Sequence, residues 1–215
     1  MEETDRYIPA LGLNRLTPLY DPLLRWVMRE ETFKRRLIDQ AQIRPGQRVL
    51  DLGCGTATLT ILVKQTHPDS EVVGIDGDPK VLEIGRMKAT RAGVDIKLDH
   101  GMAFQLPYPD HWFDRVLSSL VFHHLTTENK HRTLSEIVRV LKPGGELHVV
   151  DFGKPHNAYA RLVSFVMGRF EEAADNVKGR LPEMFRQAGF DRAEETARYT
   201  TPFGTLSLYH AWKPG

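Results

Sequence analysis

Residues 49–57 read Val-Leu-Asp-Leu-Gly-Cys-Gly-Thr-Ala, and this stretch decides the fold class. A β-prone run passes directly into a glycine-rich turn, and a helical pattern begins at Thr58. Glycine adopts backbone torsions that other residues avoid, and it lets a ligand approach the bare backbone. The stretch therefore predicts a strand–loop–helix unit with a ligand lying over the loop.

Strand and helix patterns alternate on both sides of this unit. We predict strands at residues 47–52, 71–76, 95–99, 114–118 and 146–151, and helices at residues 58–65, 79–92 and 128–141. Asp78 followed by Pro79 is typical of a helix start, Gly93 of a helix end, and residues 142–145 of a turn. Such alternation predicts a doubly wound, mainly parallel sheet.

The two ends of the chain depart from the alternation. Residues 7–44 form a mostly helical segment, which we expect to cover the sheet. Further helices are predicted at residues 158–170 and 182–188, and residues 194–200 and 205–212 read as a closing antiparallel hairpin. The prediction is thus one α/β domain of seven strands, with a helical cover at residues 1–44 and the ligand-binding part at residues 45–215.

Composition narrows the function classes. The chain has 215 residues with 29 Lys and Arg against 28 Asp and Glu, so its net charge of +1 disfavours a protein that wraps nucleic acid. The single Cys54 excludes an internal disulfide. The first residues lack the apolar core of a secretory signal, and no apolar run is long enough to span a bilayer. We expect a cytoplasmic protein without a transmembrane segment.

The glycine loop is a poor match to a dinucleotide site. Counting from Gly53, the sixth position is Thr58, where the dinucleotide fingerprint has Gly or Ala. Asp51 would place a carboxylate near a pyrophosphate, whereas it suits a ligand with a cationic amino group. Asp76 ends the second predicted strand, where a carboxylate accepts hydrogen bonds from both ribose hydroxyls.

With these residues in view, the chain resembles the class I S-adenosylmethionine-dependent methyltransferases. Within that family it looks most like the small-molecule branch that includes the ubiquinone and menaquinone C-methyltransferases. The resemblance spans residues 44–151 and implies a Rossmann-like sheet. It rests on the glycine loop and on residues 74–76, 101–108, 113–116, 122–125 and 140–145.

The resemblance also implies a set of cofactor contacts. In similar enzymes the loop backbone lies against the methionyl part, Asp51 lies near its amino group, and Asp76 binds the ribose. Met102 stands where an Asp often accepts the adenine amino group, so that side-chain contact is missing. The expected contacts to S-adenosylmethionine are Asp51, Gly53, Cys54, Gly55, Asp76, Gly77, Met102, Ala103 and Ser118.

The sulfonium activates the methyl group, so the enzyme mainly has to position the acceptor and exclude water. A phenol, enol or carbon nucleophile also needs a base. The candidates that follow the fourth and fifth strands are His123, His124, Asp151 and His156. No metal-binding spacing is found, so we expect no metal.

An apolar or aromatic acceptor would lie between the chain ends. Tyr7, Tyr20 and Phe165, together with His123, are the candidate acceptor contacts. The basic residues Arg25, Arg29, Lys34, Arg35 and Arg36 are expected to form a solvated helix face.

The favoured function is methyl transfer to a small acceptor, with C-, O- and N-methylation left open. The alternatives are an RNA or protein methyltransferase, a non-catalytic S-adenosylmethionine-binding regulatory module, and an NAD-type oxidoreductase. The sequence does not choose between a monomer and a homodimer.

Overall fold

The computed structural model describes residues 30–167 and 171–215, which form one seven-stranded sheet with helices on both faces. The strands are β1 (Arg48–Leu52), β2 (Glu71–Asp76), β3 (Lys97–His100), β4 (Phe113–Ser119), β5 (Leu141–Phe152), β6 (Arg192–Thr201) and β7 (Gly204–Trp212). The helices are α1 (Glu30–Ala41), α2 (Thr58–Thr66), α3 (Pro79–Ala92), α4 (Thr127–Val140), α5 (Ala158–Met167), α6 (Glu171–Val177) and α7 (Leu181–Gln187). A 3₁₀ turn covers Phe122–His124.

The strand order is β3-β2-β1-β4-β5-β7-β6. Strands β1 to β5 pair in parallel, and β7 is inserted antiparallel between β5 and β6. The chain order reverses direction between β1 and β4, which is the switch point where open α/β sheets bind ligands outside the carboxyl ends of their strands. The fold thus places a binding crevice beside the glycine loop.

Each face of the sheet has its own apolar core. On the α1 face, Phe33 and Leu37 of α1 and Leu59 of α2 pack on side chains of β1, β4, β5 and β7. On the α4 face, Leu134 of α4 and Phe185 of α7 pack on the alternate side chains of the same strands. Because successive residues of a strand point to opposite faces, the nearly continuous apolar runs reflect burial on both sides.

The predicted architecture is confirmed, including the parallel sheet and the closing antiparallel strands. Asp78 caps α3 by accepting a hydrogen bond from the Lys80 backbone N–H, and Gly93 ends that helix in the left-handed region at φ 63°. The predicted turn at residues 142–145 is wrong in one respect. Strand β5 begins at Leu141, directly after α4, and Leu141 pairs with Phe113 across a register shift.

Parts of the sequence prediction fall outside the described residues. Of the predicted helical cover, only its last helix, α1, is described, and α5 is described to Met167. The division at residue 44 stays a prediction. Among the described segments, no helix is long and apolar enough to cross a membrane.

Candidate active site at the carboxyl edge of the sheet

The glycine loop leaves β1 in a tight left-handed turn. Gly53 has φ 68°, and a Cβ there would lie 2.4 Å from Val121 Cγ2, so a side chain would collide with the segment after β4. Gly55 has φ 53°, but a Cβ there would meet no atom within 4 Å, so this glycine faces open space. Ala57 at the end of the loop and Leu120 directly after β4 also have positive φ angles of 58° and 61°. Such strained backbone is typical of binding sites.

Three successive N–H groups of the loop are already used within the fold. Those of Gly53 and Cys54 donate to the Ile75 carbonyl at 2.8 and 2.9 Å, and that of Gly55 donates to Asp76 Oδ2 at 2.8 Å. The N–H groups of these three residues are therefore not free to bind a phosphate. This favours a ligand other than a pyrophosphate, as the sequence indicated.

Asp76 lies at the end of β2 and is held against the loop. Its Oδ2 accepts from Gly55 and its Oδ1 from the Asp78 backbone N–H at 2.9 Å. Burial raises the pKa of Asp76, although these two N–H groups oppose the shift. Each carboxylate oxygen can accept a second hydrogen bond, so the group keeps the capacity to bind a ribose diol.

Asp51 is buried below the loop on the α1 face. Its Oδ2 accepts a 2.6 Å hydrogen bond from the Thr60 hydroxyl. Burial raises the pKa of Asp51 to about 6, although Thr60 and the charge of Lys34 oppose the shift. Lys34 itself is 8% exposed, so the expectation that it belongs to a solvated basic face is wrong. Arg35 and Arg36 of the same helix are exposed as expected.

The side chains of two predicted cofactor contacts, Cys54 and Ser118, are buried. The Cys54 side chain packs under the loop, because a Cβ on Gly74 of β2 would lie 2.9 Å from its Sγ. Only the backbone of Cys54 is therefore available to a ligand, and burial raises the pKa of its thiol. Ser118 has no exposed surface, and its hydroxyl donates to the Leu52 carbonyl at 3.3 Å. The buried hydroxyl of the next residue, Ser119, has no partner among the described residues.

The remaining loop residues of the expected cofactor set lie along the same edge. The Gly77 carbonyl oxygen lies 3.1 Å from His100 Nε2. Met102 and Ala103 follow β3 in a loop where both are half-buried, and the Met102 carbonyl accepts from the Gln105 N–H. The N–H of Ala103 makes no hydrogen bond within the described part of the chain, so it can donate to a ring nitrogen.

Farther along the edge, His123 and Asp151 form a buried pair. His123 Nδ1 lies 2.8 Å from Asp151 Oδ1, and their side chains are 12% and 0% exposed. Burial alone would raise the pKa of Asp151, but His123 and the backbone N–H of Phe152 outweigh it and hold the pKa below its usual value. An ionised Asp151 accepts the Nδ1 proton, which leaves the lone pair of His123 on Nε2. No hydrogen bond to Nε2 is made by any described residue.

The other acid–base candidates, Asp151, His124 and His156, are less suited than His123 to take a proton from an acceptor. Asp151 has no exposed surface, so it cannot take a proton from an acceptor directly and acts only through His123. The His124 ring lies beside that of His123, with the ring centroids 3.9 Å apart and the planes tilted by 42°. Burial lowers the pKa of His124 to about 4, so it is neutral at pH 7. Both ring nitrogens of His156 are occupied by Thr205 and Thr200, which makes it a tie between β6 and β7.

A second histidine cluster lies on the α1 face, away from this edge. Among the described residues it is the group whose donor atoms approach closely enough to hold a cation, and it consists of Glu146, His148 and His210. Glu146 Oε2 lies 2.7 Å from His210 Nε2 and 3.2 Å from His148 Nε2, and Oε1 pairs with Arg115 at 3.0 Å. Since each Glu146 oxygen is already paired, the contacts describe a hydrogen-bonded network.

Comparison with known proteins gives the family. A family model described as a methyltransferase domain matches residues 49–145. A demethylmenaquinone methyltransferase of Listeria monocytogenes serotype 4a is 32% identical over 242 aligned residues, covering 98% of this chain and 97% of the relative. The chain belongs to the S-adenosylmethionine-dependent methyltransferases. A second methyltransferase of the same description, from Symbiobacterium thermophilum, is 31% identical and covers 97% of this chain and 93% of the relative.

A solved structure supports the fold of the methyltransferase. The S-adenosylmethionine-dependent methyltransferase SibL, in its apo form, superposes with a TM-score of 0.71 at 24% identity. The match covers 97% of this chain and 60% of SibL.

The loop of this methyltransferase fits its cofactor, S-adenosylmethionine. The space over Gly55 is open to a ligand, and the carboxylate oxygens of Asp76 can accept further hydrogen bonds, as a ribose diol requires. The buried carboxylate of Asp51 contributes negative charge beneath that space. This donor set suits a cationic amino acid joined to a nucleoside.

Three predicted acceptor contacts of the methyltransferase lie outside the described residues: Tyr7, Tyr20 and the side chain of Phe165. Sequence reasoning missed Lys34, Thr60 and Asn176. For Lys34 a signal existed, because it lies three and four positions before Leu37 and Ile38 on the apolar stripe of α1. Asn176, which donates to Asp151, had no comparable signal.

Proposed function

We propose that this methyltransferase methylates a ring carbon of a hydrophobic dihydroxy-aromatic acceptor, of the reduced demethylmenaquinone type. Two demethylmenaquinone methyltransferases that align over nearly the whole chain support this acceptor class. The proposal takes the acceptor in its reduced form, because a dihydroxy ring is a carbon nucleophile whereas the oxidised quinone ring is electrophilic. We further propose that the acceptor is a small molecule, that the reaction takes place in the cytoplasm, and that the protein does not act on nucleic acid.

The observation that carries the proposal is the His123–Asp151 pair. A ring carbon becomes strongly nucleophilic only when a ring hydroxyl loses its proton, and a neutral imidazole suits that task. Asp151 holds the Nδ1 proton of His123, which directs the Nε2 lone pair to the acceptor side. Methylation at an already basic nitrogen would have no need of such a pair.

Each residue has a distinct part in the reaction. When bound, S-adenosylmethionine supplies a methyl group activated on its sulfonium, held by Asp76, Asp51 and the backbone of Gly55. His123 Nε2 takes the proton of the acceptor hydroxyl, and Asp151 stabilises the imidazolium that forms. After methyl transfer the ring carbon releases its own proton to water, which restores aromaticity, and the His123 imidazolium returns its proton to the ring oxygen. His124 stays neutral beside the imidazolium, because burial lowers its pKa to about 4.

The experiment measures methylation of a short-chain dihydroxynaphthalene by the purified protein with S-adenosylmethionine. We expect His123→Gln to lower kcat by roughly 100-fold or more, the range of general-base catalysis. The affinity for S-adenosylhomocysteine, measured by calorimetry, should be unchanged. His124→Gln is the matched control, since it removes the adjacent ring without removing the base.

Three results would contradict the proposal. Wild-type kcat in His123→Gln would remove the base. Methyl transfer to RNA or protein, with none to the naphthalene diol, would replace the acceptor class. Cofactor binding without turnover on any acceptor would favour a regulatory module instead.

A further inference from the structure

A buried amide lies next to the His123–Asp151 pair. Asn176 of α6 has no exposed surface, and its Nδ2 donates to Asp151 Oδ1 at 3.1 Å. Its Oδ1 has no hydrogen-bond partner among the described residues. A buried carbonyl oxygen without a partner destabilises a fold. Packing alone therefore does not account for an asparagine at this position.

Asp151 collects four N–H donors. The backbone of Phe122 donates to Oδ2 at 2.8 Å, the backbone of Phe152 to Oδ1 at 2.7 Å, and His123 Nδ1 to Oδ1 at 2.8 Å. Asn176 is the fourth donor. It lies in α6, whereas the other three donors lie in β5 or in the 3₁₀ turn. Turning its amide over would place Oδ1 against the carboxylate, so the contact fixes the orientation of the amide.

The helix that carries Asn176 is itself held firmly. The neighbouring residue Asp175 accepts from the Thr127 hydroxyl at 2.6 Å and pairs with Lys130 at 3.5 Å and Arg180 at 3.2 Å. Lys130 Nζ also donates to the Glu172 carbonyl at 2.5 Å. These contacts tie α6 to α4, so Asn176 approaches Asp151 from a fixed position.

We infer that Asn176 is a positioning residue, which fixes the Asp151 carboxylate against His123 and shares part of its negative charge. The inference rests on the proposed role of His123 as the base. With one donor fewer, more of the Asp151 charge would act on His123, and the pair would hold its proton to higher pH. The other titratable groups that face the pair are His124 in the 3₁₀ turn, Lys130 of α4 and Tyr209 of β7.

The test compares wild type with Asn176→Leu, which keeps the branched shape and removes the amide. We expect the acid limb of the kcat–pH profile to move to higher pH by about half a unit. We expect the affinity for S-adenosylhomocysteine to stay the same. Thr133→Val is the matched control: it also removes a buried polar atom without a partner, but Thr133 does not touch Asp151. Its acid limb should coincide with that of wild type.

A second readout does not depend on any acceptor. In proton NMR of the free protein, the Nδ1 proton of His123 should move downfield in Asn176→Leu, because Asp151 then has fewer competing donors. The signal is assigned by its loss in His123→Gln. A shifted signal without any methylated acceptor would support the positioning and overturn the proposed function. An unchanged signal and an unchanged acid limb would overturn the positioning.

Two further variants complete the test. Adding Asn176→Leu to His123→Gln should lower kcat no further, since Asn176 acts through His123. An additional loss of similar size in the double variant would contradict the inference. If the leucine prevents folding, Asn176→Ala is measured in the same way, with the same expected shifts.

Discussion

At the scale of single residues, the cofactor loop contains a carboxylate that works against folding. Asp51 is 1% exposed, and burial raises its pKa from 3.8 to about 6. A carboxyl group whose pKa is raised by folding favours the folded state when protonated. That contribution is complete below about pH 4 and is lost as the pH rises to about 6. At neutral pH the ionised group therefore lowers the stability of the cofactor-free protein.

We predict that Asp51→Asn raises the free energy of unfolding at pH 7 by about 3 kcal/mol. The Thr60 hydroxyl can still donate to the amide oxygen, so the local hydrogen bond is kept. The affinity for S-adenosylhomocysteine should fall, because the charge facing its amino group is gone. Urea denaturation at pH 4 and at pH 7 checks the first effect. A stability gain of equal size at both pH values would contradict the ionisation argument.

Asp76 and Asp78 are expected to contribute to different properties, Asp76 to cofactor binding and Asp78 to folding stability. We predict that Asp76→Ala weakens cofactor binding by about 1–3 kcal/mol, through lost hydrogen bonds to a charged group. Asp78→Ala should instead remove the cap of α3 and lower stability by about 1 kcal/mol, with a smaller effect on affinity. Calorimetry with S-adenosylhomocysteine and thermal unfolding measure both variants. Equal losses of affinity in the two variants would argue against Asp76 as the ribose contact.

At the scale of elements, α1 is fastened to the sheet through a polar network. Gln40 Nε2 lies 3.2 Å from His148 Nδ1 and donates to the Tyr209 carbonyl at 3.0 Å. Arg115 Nε donates to the Ala41 carbonyl at 2.9 Å. The same helix carries Lys34, whose charge acts on Asp51. The anchoring of α1 thus links the middle of the sheet to the cofactor loop.

The network predicts acid sensitivity. Burial lowers the pKa of His148 from 6.5 to about 4, so this side chain is neutral in the folded protein at pH 7. Its contribution to stability is complete above about pH 6.5 and is lost as the pH falls to about 4, a change of roughly 3 kcal/mol. In His148→Gln this part of the pH dependence should disappear. Denaturation between pH 4 and pH 7 measures it, and parallel curves for variant and wild type would contradict the assignment.

Helices and strands were easier to predict from the sequence than contacts between distant residues. The spacing of Asp78, Pro79 and Gly93 located α3 correctly, because capping is a local property of the chain. The start of β5 was missed, since residues 142–145 have turn chemistry and only pairing with β4 makes them part of a strand. Tertiary pairing outweighed local preference there.

The residues of the candidate site were likewise predictable only in part. Asp76 was located from the end of a strand, and His123 and Asp151 from the ends of two others, because parallel strands share one carboxyl edge. The donor from Asn176 was not predictable, since α6 comes close to Asp151 only through tertiary packing on the 3₁₀ turn and on β5. The buried positions of Cys54 and Ser118 likewise depend on neighbours that the sequence does not name.

At the scale of the whole molecule, the cofactor loop and the proposed base lie along one edge of one sheet. Strand β1 contributes the loop, β2 contributes Asp76, and β5 contributes Asp151. A near-neutral net charge of +1 accords with a small organic acceptor and offers little to a polyanion. The proposed chemistry thus depends on side chains at a rigid sheet edge, and residues of the helices contact those side chains from behind.

The position of β7 in this sheet also has a genetic consequence. Within the described part of the chain, strand β6 pairs only with β7, which lies between it and β5. A nonsense or frameshift mutation anywhere near Gly204 would therefore remove two strands from the sheet, although β6 would still be encoded and translated. The exposed edge of β5 would then be open to pairing with other chains. Short truncations within residues 204–212 should consequently act as null alleles that yield aggregated protein.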